Sequence, residues 1–443
     1  MTREDARAIT IGNALDLRLK ILDDRFQMAL SFPCNASLYL QQQQHQEVKE
    51  KQRNYNKGLQ AVKNLINTIG IPSISVSPNE SLRKGNWVKL ICGASFEDIV
   101  DIRNLSLIYT LAGVDCIDCA ADESVVTAVN EGIDVAGEIV GLLRRPWVMI
   151  SVNDDEDLHF RKAEFDPEDC PHDCSRPCEM VCPANAISLE LIPREDKSTH
   201  GKAAFGKFQG GVITERCYGC GRCIPVCPYD KIRAVTYVRN AAETAQLLKR
   251  SEVDAVEIHT SGRQTDYFEE LWNRLGDSIW HVKLVAVSLP YIGNSTVSTM
   301  NKIFSIMDPR LSCYNLWQLD GRPMSGDIGK GATREAISFS VHLAALRDRP
   351  HGFLQLAGGT NLQTVDGLKK AGLFQTTENG SQQALIGGVA YGGYARKIVG
   401  RVLSQIQSHY GLMNIEDHPD HLLDALREAL TLVGTVKCYN IPY

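Results

Sequence analysis

The chain has 443 residues, of which 44% are hydrophobic and 23% charged, an ordinary balance for a globular protein. Its 47 basic and 53 acidic residues give a net charge of −6 without a basic stripe, so nucleic acid is not an expected partner. No run of about eighteen apolar residues occurs, so no membrane span is expected. The fourteen cysteines are too clustered, and the chain too long, for a disulfide framework.

The first 82 residues are predicted to form an amino-terminal extension, partly helical and partly disordered. Its acidic residues, and the lack of a basic start followed by an apolar core, give no sign of a secretory signal or transit peptide. A helix is expected over residues 14–30. The glutamine tract at 41–44 is interpreted as a solvated segment rather than an interaction site.

After residue 86, short apolar runs alternate with amphipathic stretches, a pattern typical of buried parallel strands covered by helices. Eight runs are predicted as strands: residues 87–94, 114–121, 147–152, 254–260, 283–290, 314–320, 352–359 and 384–390. Eight strand–helix units close a (β/α)8 barrel, predicted over residues 83–153 and 240–408. An open doubly wound sheet is the alternative. A helix and tail at 409–443 are expected outside the barrel.

A cysteine motif interrupts this alternation after the third strand. Its spacing, C-x2-C-x2-C-x3-C followed by proline, is typical of a ferredoxin-type [4Fe–4S] site, in which the fourth cysteine reaches a neighbouring cluster. The motif consists of Cys217, Cys220, Cys223 and Cys227, followed by Pro228. A zinc site would need only pairs of C-x2-C and leaves the Cys-Pro ending unexplained.

A second cysteine motif lies upstream with the wider spacing C-x3-C-x3-C-x3-C-P. It consists of Cys170, Cys174, Cys178 and Cys182. Two such motifs indicate a two-cluster ferredoxin-like module at residues 166–238. By analogy with such modules, the fourth cysteine of each motif is exchanged. One [4Fe–4S] cluster is then held by Cys170, Cys174, Cys178 and Cys227, and the other by Cys182, Cys217, Cys220 and Cys223.

The position of the module predicts where it lies. Loops that follow barrel strands open on the carboxyl face, where active sites occur, so the module is expected over the barrel mouth. Glycines at the last two strands favour a phosphate-bearing ligand there, such as a flavin, with turn chemistry and tight packing as the alternative. The candidate residues are Gly358, Gly359, Thr360, Gly387, Gly388, Gly392 and Gly393.

Further polar residues at predicted strand ends are candidates for lining the site, although each is also compatible with a hydrogen-bonded core or rim position. They are Asp118, Asn153, Glu257, His259 and Asp320. The glycine-rich loop after the sixth strand adds Arg322, Asp327 and Lys330. The sequence contains no Ser/His/Asp set or other clear catalytic set. It therefore does not decide whether the protein is an enzyme, although an oxidoreductase is compatible with it.

The motifs resemble those of the cyanobacterial light-dependent period protein family, LdpA, over residues 82–403. The resemblance rests on KLICGASFED, CPHDCSRPCEMVCPANAI, CYGCGRCIPVCP, DAVEIHTSGR, DGRPMSGDIGKGATREA, LAGGTN and IGGVAYGGYARK. It implies a protein with two iron–sulfur clusters that senses redox state and passes light-dependent information to the circadian clock. Its implied ligands are the eight motif cysteines.

Two hypotheses follow, with a purely structural or assembly role as a third. The first is a redox sensor that exchanges electrons with a redox partner protein or the quinone pool, and contacts clock-associated proteins if the source is cyanobacterial. The second is an electron-transferring oxidoreductase with a phosphate-bearing cofactor or substrate at the barrel mouth. The expected location is the cytoplasm in a cyanobacterium, or the plastid stroma in a photosynthetic eukaryote.

Overall fold

The computed structural model describes residues 34–71, 77–141, 144–192, 207–321, 331–377, 383–411 and 413–441. Residues 1–57 and 58–443 form two units, and the barrel and the cysteine-rich insertion both belong to the second. The helix predicted over residues 14–30 lies outside the described residues. The glutamine tract is part of a long helix, α1 (Cys34–Ile69), rather than an irregular segment.

The strands, in chain order, are β1 (Trp87–Gly93), β2 (Cys116–Ala120), β3 (Trp147–Asn153), β4 (Arg161–Glu164), β5 (Ile187–Ile192), β6 (Lys207–Val212), β7 (Arg233–Thr236), β8 (Ala255–His259), β9 (Leu284–Pro290), β10 (Tyr314–Asp320), β11 (Phe353–Ala357) and β12 (Gly388–Tyr391). The helices that follow α1 are α2 (Pro78–Lys84), α3 (Ile99–Ala112), α4 (Glu123–Val140), α5 (Pro177–Val181), α6 (Ala241–Leu247), α7 (Thr265–Leu275), α8 (Thr296–Met307), α9 (Ala332–Ala345), α10 (Thr364–Lys370), α11 (Gly393–Tyr410) and α12 (Pro419–Lys437).

Eight parallel strands close into a barrel in the order β1–β12–β11–β10–β9–β8–β3–β2. The predicted (β/α)8 barrel is therefore confirmed, and the open sheet is excluded. Strands β2, β3, β8 and β11 are buried along their whole length, which explains their largely apolar sequences. The eighth strand begins only at Gly388, later than predicted.

Local sequence signals set the helix ends around the barrel. The carboxylate of Asp98 accepts hydrogen bonds from the first turn of α3, and Asp122 does the same for α4. Helix α3 ends at Gly113, whose φ of 88° lies in the left-handed region that favours glycine. Among the described helices, none combines the length and apolar character needed to cross a bilayer.

The inserted module contains two small antiparallel sheets, one formed by β4 and β7 and the other by β5 and β6. Asn153, at the end of β3, joins the two ends of this insertion. Its amide donates to the carbonyls of Asp155 and Tyr237, both at 2.8 Å, and its side-chain oxygen accepts from the Arg239 backbone N–H. Asn153 therefore fastens the base of the module rather than lining a ligand site.

Ion pairs hold the module against the loop after β1. Glu97 contacts Lys162 at 3.2 Å and Arg239 at 2.8 Å, and Asp98 contacts Arg216 at 3.0 Å. Next to the same loop, the Arg396 guanidinium of α11 donates to the Ile91 and Cys92 carbonyls of β1 and lies 4.2 Å from the ring centroid of Tyr218 in the module. These contacts fix the cysteine-rich segment over the carboxyl face of the barrel.

Candidate functional site

One set of four cysteines lines a single cavity in the module. Cys217, Cys220 and Cys223 come from the downstream motif, and Cys182 comes from the end of the upstream motif. Apolar side chains, including Ile187 and Ile224, complete the walls. The two motifs therefore meet in space with the fourth cysteine exchanged between them.

The thiols of this set lie close enough to interact electrostatically. The pKa of Cys223 rises to about 12, first through burial and then through the neighbouring Cys220, Cys217 and Cys182. Backbone amides also point at two of the sulfurs. The Ala163 N–H donates to Cys217 Sγ at 3.3 Å, and the Ala186 N–H donates to Cys182 Sγ at 3.2 Å.

The other four motif cysteines group in the same manner. The pKa of Cys170 rises to about 11, first through burial and then through Cys174, Cys178 and Cys227, so these thiols are neighbours. The Lys231 N–H donates to Cys227 Sγ at 3.4 Å. Ile187, Leu189, Phe208 and Ile232 form the apolar cluster against which these cysteines pack. The wider spacing of the upstream motif thus still brings its cysteines together.

A buried arginine, Arg161, lies beside the cavity lined by Cys182 and the downstream cysteines. Its Nε donates to the Gly219 carbonyl at 2.6 Å, and its side chain is 94% removed from solvent. Burial lowers the pKa of Arg161, whereas Cys220, Cys223 and Cys217 act in the opposite direction. Its Nη2 has no hydrogen-bond partner among the described residues. A buried cation with a spare donor therefore adjoins three thiols.

A larger cavity of about 250 Å³ opens at the barrel mouth, directly below the module. Cys220 and Arg222 of the module line its upper side, and Arg396 and Lys397 of α11 line one wall. The predicted residues Gly358, Gly359, Thr360, Gly392 and Gly393 also line this cavity. The module cysteines and the strand-end glycines are therefore brought to one space.

The structure does not bring the second glycine pair to the mouth. Gly388 lies opposite Trp87 at the amino end of the barrel, where an added Cβ would lie 2.1 Å from the Trp87 carbonyl oxygen. Gly387 packs against Leu82 nearby. These two glycines allow close approach of β12 to β1, which is the tight-packing alternative. Arg322, Asp327 and Lys330 lie outside the described residues.

A polar network fills the barrel beneath the mouth. Glu257 forms an ion pair with Lys89, and both side chains are completely buried. Gln318 Nε2 donates to Glu257 Oε1 at 2.6 Å, and Gln355 Nε2 donates to Gln318 Oε1 at 2.9 Å. The Trp87 indole N–H donates to Gln355 at 2.7 Å, which continues the network toward the amino end of the barrel.

The charges of this network shift one another's pKa values. Burial opposes ionisation of Glu257, but Lys89 and His259 outweigh it and lower the pKa of Glu257 to about 2. Burial also lowers the pKa of His259, but Glu257 at 3.1 Å outweighs it and raises the value to about 9. The pKa of Asp118 rises to about 6, chiefly through burial and against the effect of Lys89.

Of the five polar strand-end candidates, four line the mouth cavity: Asp118, Glu257, His259 and Asp320. Asn153 does not, because it fastens the module. Sequence reasoning missed Lys89, Gln318, Arg396 and His159. A lysine inside the apolar run WVKLICGA was the one available signal for Lys89, because an interior strand rarely carries a charge without a buried partner.

The comparisons with known proteins concern first the inserted module. The profile described as the LdpA Fe-S cluster-binding domain matches residues 170–238, which include all eight motif cysteines. The fold and this site together define a (β/α)8-barrel protein with an inserted iron–sulfur cluster-binding domain.

The sequence that follows the module matches the same family. The profile of the Light dependent period A C-terminal domain matches residues 247–435. A relative from Synechococcus elongatus (strain ATCC 33912 / PCC 7942 / FACHB-805), named Light dependent period A, is 39% identical over 367 residues, which cover 81% of this chain and 94% of the relative. The chain belongs to the Light dependent period A family.

Proposed function

We propose that the chain is a redox-sensing protein that carries two [4Fe–4S] clusters in its inserted module. The observation that carries this proposal is the cavity lined by Cys182 together with Cys217, Cys220 and Cys223. Cys170, Cys174, Cys178 and Cys227 hold the second cluster. Iron–sulfur clusters take thiolate ligands, and the C-x2-C-x2-C-x3-C-P spacing of the downstream motif favours the [4Fe–4S] type.

The surroundings of the cysteines suit a bound cluster. The amides of Ala163, Ala186 and Lys231 donate to ligand sulfurs, and such hydrogen bonds favour the more negative, reduced state of a cluster. When bound, the clusters supply reversible one-electron transfer. Aliphatic neighbours such as Ile187 and Ile232 limit access of water to the sulfurs.

A light-linked role is supported by the name of the relative, Light dependent period A, and redox sensing by the cysteine sets that suit iron–sulfur clusters. A sensor must exchange electrons with a partner, and a basic cleft beside Cys182 offers a surface for one. Arg216, Arg222, Arg396, Lys397 and Arg401 line this cleft. An acidic redox protein is the complementary class of partner, because opposite charges steer association. The quinone pool is an alternative donor, and clock-associated proteins are proposed as receivers of the signal if the source is cyanobacterial.

The visible absorption spectrum of the full chain, purified without oxygen, tests the proposed function. We expect a broad thiolate-to-iron absorption that reductant bleaches, and close to eight iron atoms per chain if both ligand sets are filled. Protein that shows no such absorption despite anaerobic handling would contradict the proposal. Iron at half the expected amount would limit the proposal to one cluster.

A second candidate function is an electron-transferring oxidoreductase with a phosphate-bearing cofactor or substrate, such as a flavin, at the barrel mouth. The mouth cavity favours it, because Cys220 faces the same space as Gly359, Gly392 and Arg396. Helix α11 begins at Gly393, which lines this cavity, and the backbone N–H groups of a helix amino terminus can bind an anionic group such as a phosphate. Two additional flavin bands in the anaerobic spectrum, with an intensity that corresponds to one bound flavin per chain, would favour this function over a sensor without turnover.

Arg161 provides a test of the electrostatics around the cluster held by Cys182 and the downstream cysteines. Reduction adds negative charge, which a buried guanidinium stabilises, so Arg161→Gln should lower that cluster's reduction potential by tens of millivolts. Arg161→Lys should retain most of the wild-type value. Potentiometric titration followed by electron paramagnetic resonance measures the change.

The matched control for Arg161 is Arg233→Gln, in the strand β7 that pairs with β4. The side chain of Arg233 is 72% exposed, so its charge is screened by solvent. Equal potentials for Arg161→Gln and Arg233→Gln would contradict a role for the buried cation.

A further inference from the structure

A second cluster of ligating side chains lies at the barrel mouth, separate from the motif cysteines. Asp157, His159 and His259 each offer one ligand atom, and these three atoms lie within 4.8 Å of one another. Asp157 and His159 belong to the segment that leads from β3 into the module, whereas His259 ends β8. They are the one such group of three in the part of the chain that the structure describes.

The hydrogen bonding of His259 points to a missing ligand. The residue is 5% exposed, and its Nε2 lies 3.1 Å from Glu257 Oε1. Its Nδ1 is buried and has no hydrogen-bond partner among the described residues. A metal-bound histidine typically uses one ring nitrogen for the metal and the other for a carboxylate, as this arrangement provides.

Asp157 and His159 complete a set of three ligating side chains with His259. His159 Nδ1 lies 2.6 Å from Asp157 Oδ1, and the His159 ring centroid lies 4.9 Å from that of His259. His159 lines both the mouth cavity and a neighbouring cavity that contains Asp157. A group held here would therefore keep free positions facing solvent-accessible space.

The charged groups that act most strongly on His259 are carboxylates, those of Glu257, Asp157 and Asp320. Asp320 also interacts electrostatically with His159, and the Ser288 hydroxyl donates to its carboxylate. These carboxylates would attract a divalent ion at this position. The basic side chains that also line the two cavities are those of Arg222, Arg263, Arg396 and Lys397.

We propose that Asp157, His159 and His259 bind one divalent transition-metal ion at the barrel mouth. Two imidazoles and one carboxylate suit Fe²⁺, Zn²⁺ or Mn²⁺ better than Ca²⁺ or Mg²⁺, which prefer oxygen ligands. Glu257 orients His259 and acts as a positioning residue. A site with open positions takes water or an oxygen-bearing small molecule as a further ligand. The competing explanation is an ion pair between a protonated His259 and Glu257, which needs no metal.

Mn²⁺ is the appropriate probe, because it prefers nitrogen and oxygen ligands over the thiolates of the module. The full chain is kept with its clusters oxidised and diamagnetic, and loss of the six-line signal of free Mn²⁺ reports binding. We expect one Mn²⁺ per chain. His159→Gln and Asp157→Asn should each weaken binding by about tenfold or more, since loss of even an outer partner costs that much.

His281→Gln is the matched control, because this exposed histidine precedes β9 at the other end of the barrel. It should leave Mn²⁺ affinity unchanged, and the visible spectrum of the clusters should be the same in all variants. If His259→Gln fails to fold without its contact to Glu257, the two variants at the less buried positions decide the question. Absence of Mn²⁺ binding up to millimolar concentration, or equal affinity in His159→Gln and His281→Gln, would overturn the proposal.

Discussion

Cys220→Ser is expected to remove one cluster, so the purified protein should contain roughly half the iron of the unaltered chain. The serine oxygen is a poor substitute for a thiolate, and Cys220 lines the cavity with Cys182, Cys217 and Cys223. The set that contains Cys170 should retain its cluster. Iron and sulfide analysis after anaerobic purification measures the loss.

Cys438→Ser is the matched control for Cys220→Ser, because Cys438 is exposed and lies outside the module. It should retain all of the iron. Circular dichroism should show the same secondary structure in both variants, since Cys220 contributes to no barrel strand. Full iron retention in Cys220→Ser would refute the ligand assignment.

Lys89→Met is expected to destabilise the barrel by about 3–5 kcal/mol, the usual cost of breaking a buried ion pair from one side. The change leaves the Glu257 carboxylate, which is completely buried, without its lysine partner and with His259 at 3.1 Å as its remaining cationic contact. Methionine fills a similar volume next to Met149, so lost packing contributes little. Denaturation by urea, followed by far-ultraviolet circular dichroism, gives the difference.

The double variant Lys89→Met with Glu257→Gln separates charge from packing. Because both charges are then absent, we expect it to regain a large part of the lost stability. Lys84→Met is a control on an exposed pair, since the Lys84 and Glu80 side chains, 2.5 Å apart, are 56% and 43% exposed. It should cost no more than about 1 kcal/mol. An equal loss in Lys89→Met and Lys84→Met would contradict the importance of the buried charge.

The barrel could be predicted from the sequence because its signals are local. Each buried strand is a short, largely apolar run, and glycines such as Gly113 mark the ends of helices. The position of the cysteine motifs between the third strand and its helix also follows from reading order, and it places the module over the mouth. The grouping of the cysteines could be predicted by analogy with two-cluster modules, and Cys182 does line one cavity with Cys217, Cys220 and Cys223.

The rest of the site depends on contacts between distant residues. Lys89 finds its partner Glu257 across the barrel, 168 positions away in the chain. His159 lies in a short connecting segment with no periodic pattern, and it lies beside His259 because β3, which it follows, pairs with β8. Gly387 and Gly388 could not be told from ligand-binding glycines, since glycine serves both close packing and backbone approach to a ligand.

The base of the inserted module, where Asn153 joins the entering and leaving strands, has a consequence for folding. About a hundred residues separate the end of β3 from the start of β8, compared with about 30 in an ordinary βαβ unit. Loop-closure entropy grows only logarithmically with length, so this detour costs the barrel about 1 kcal/mol even when the module is loose. The barrel can therefore close before iron and sulfide are delivered to the module.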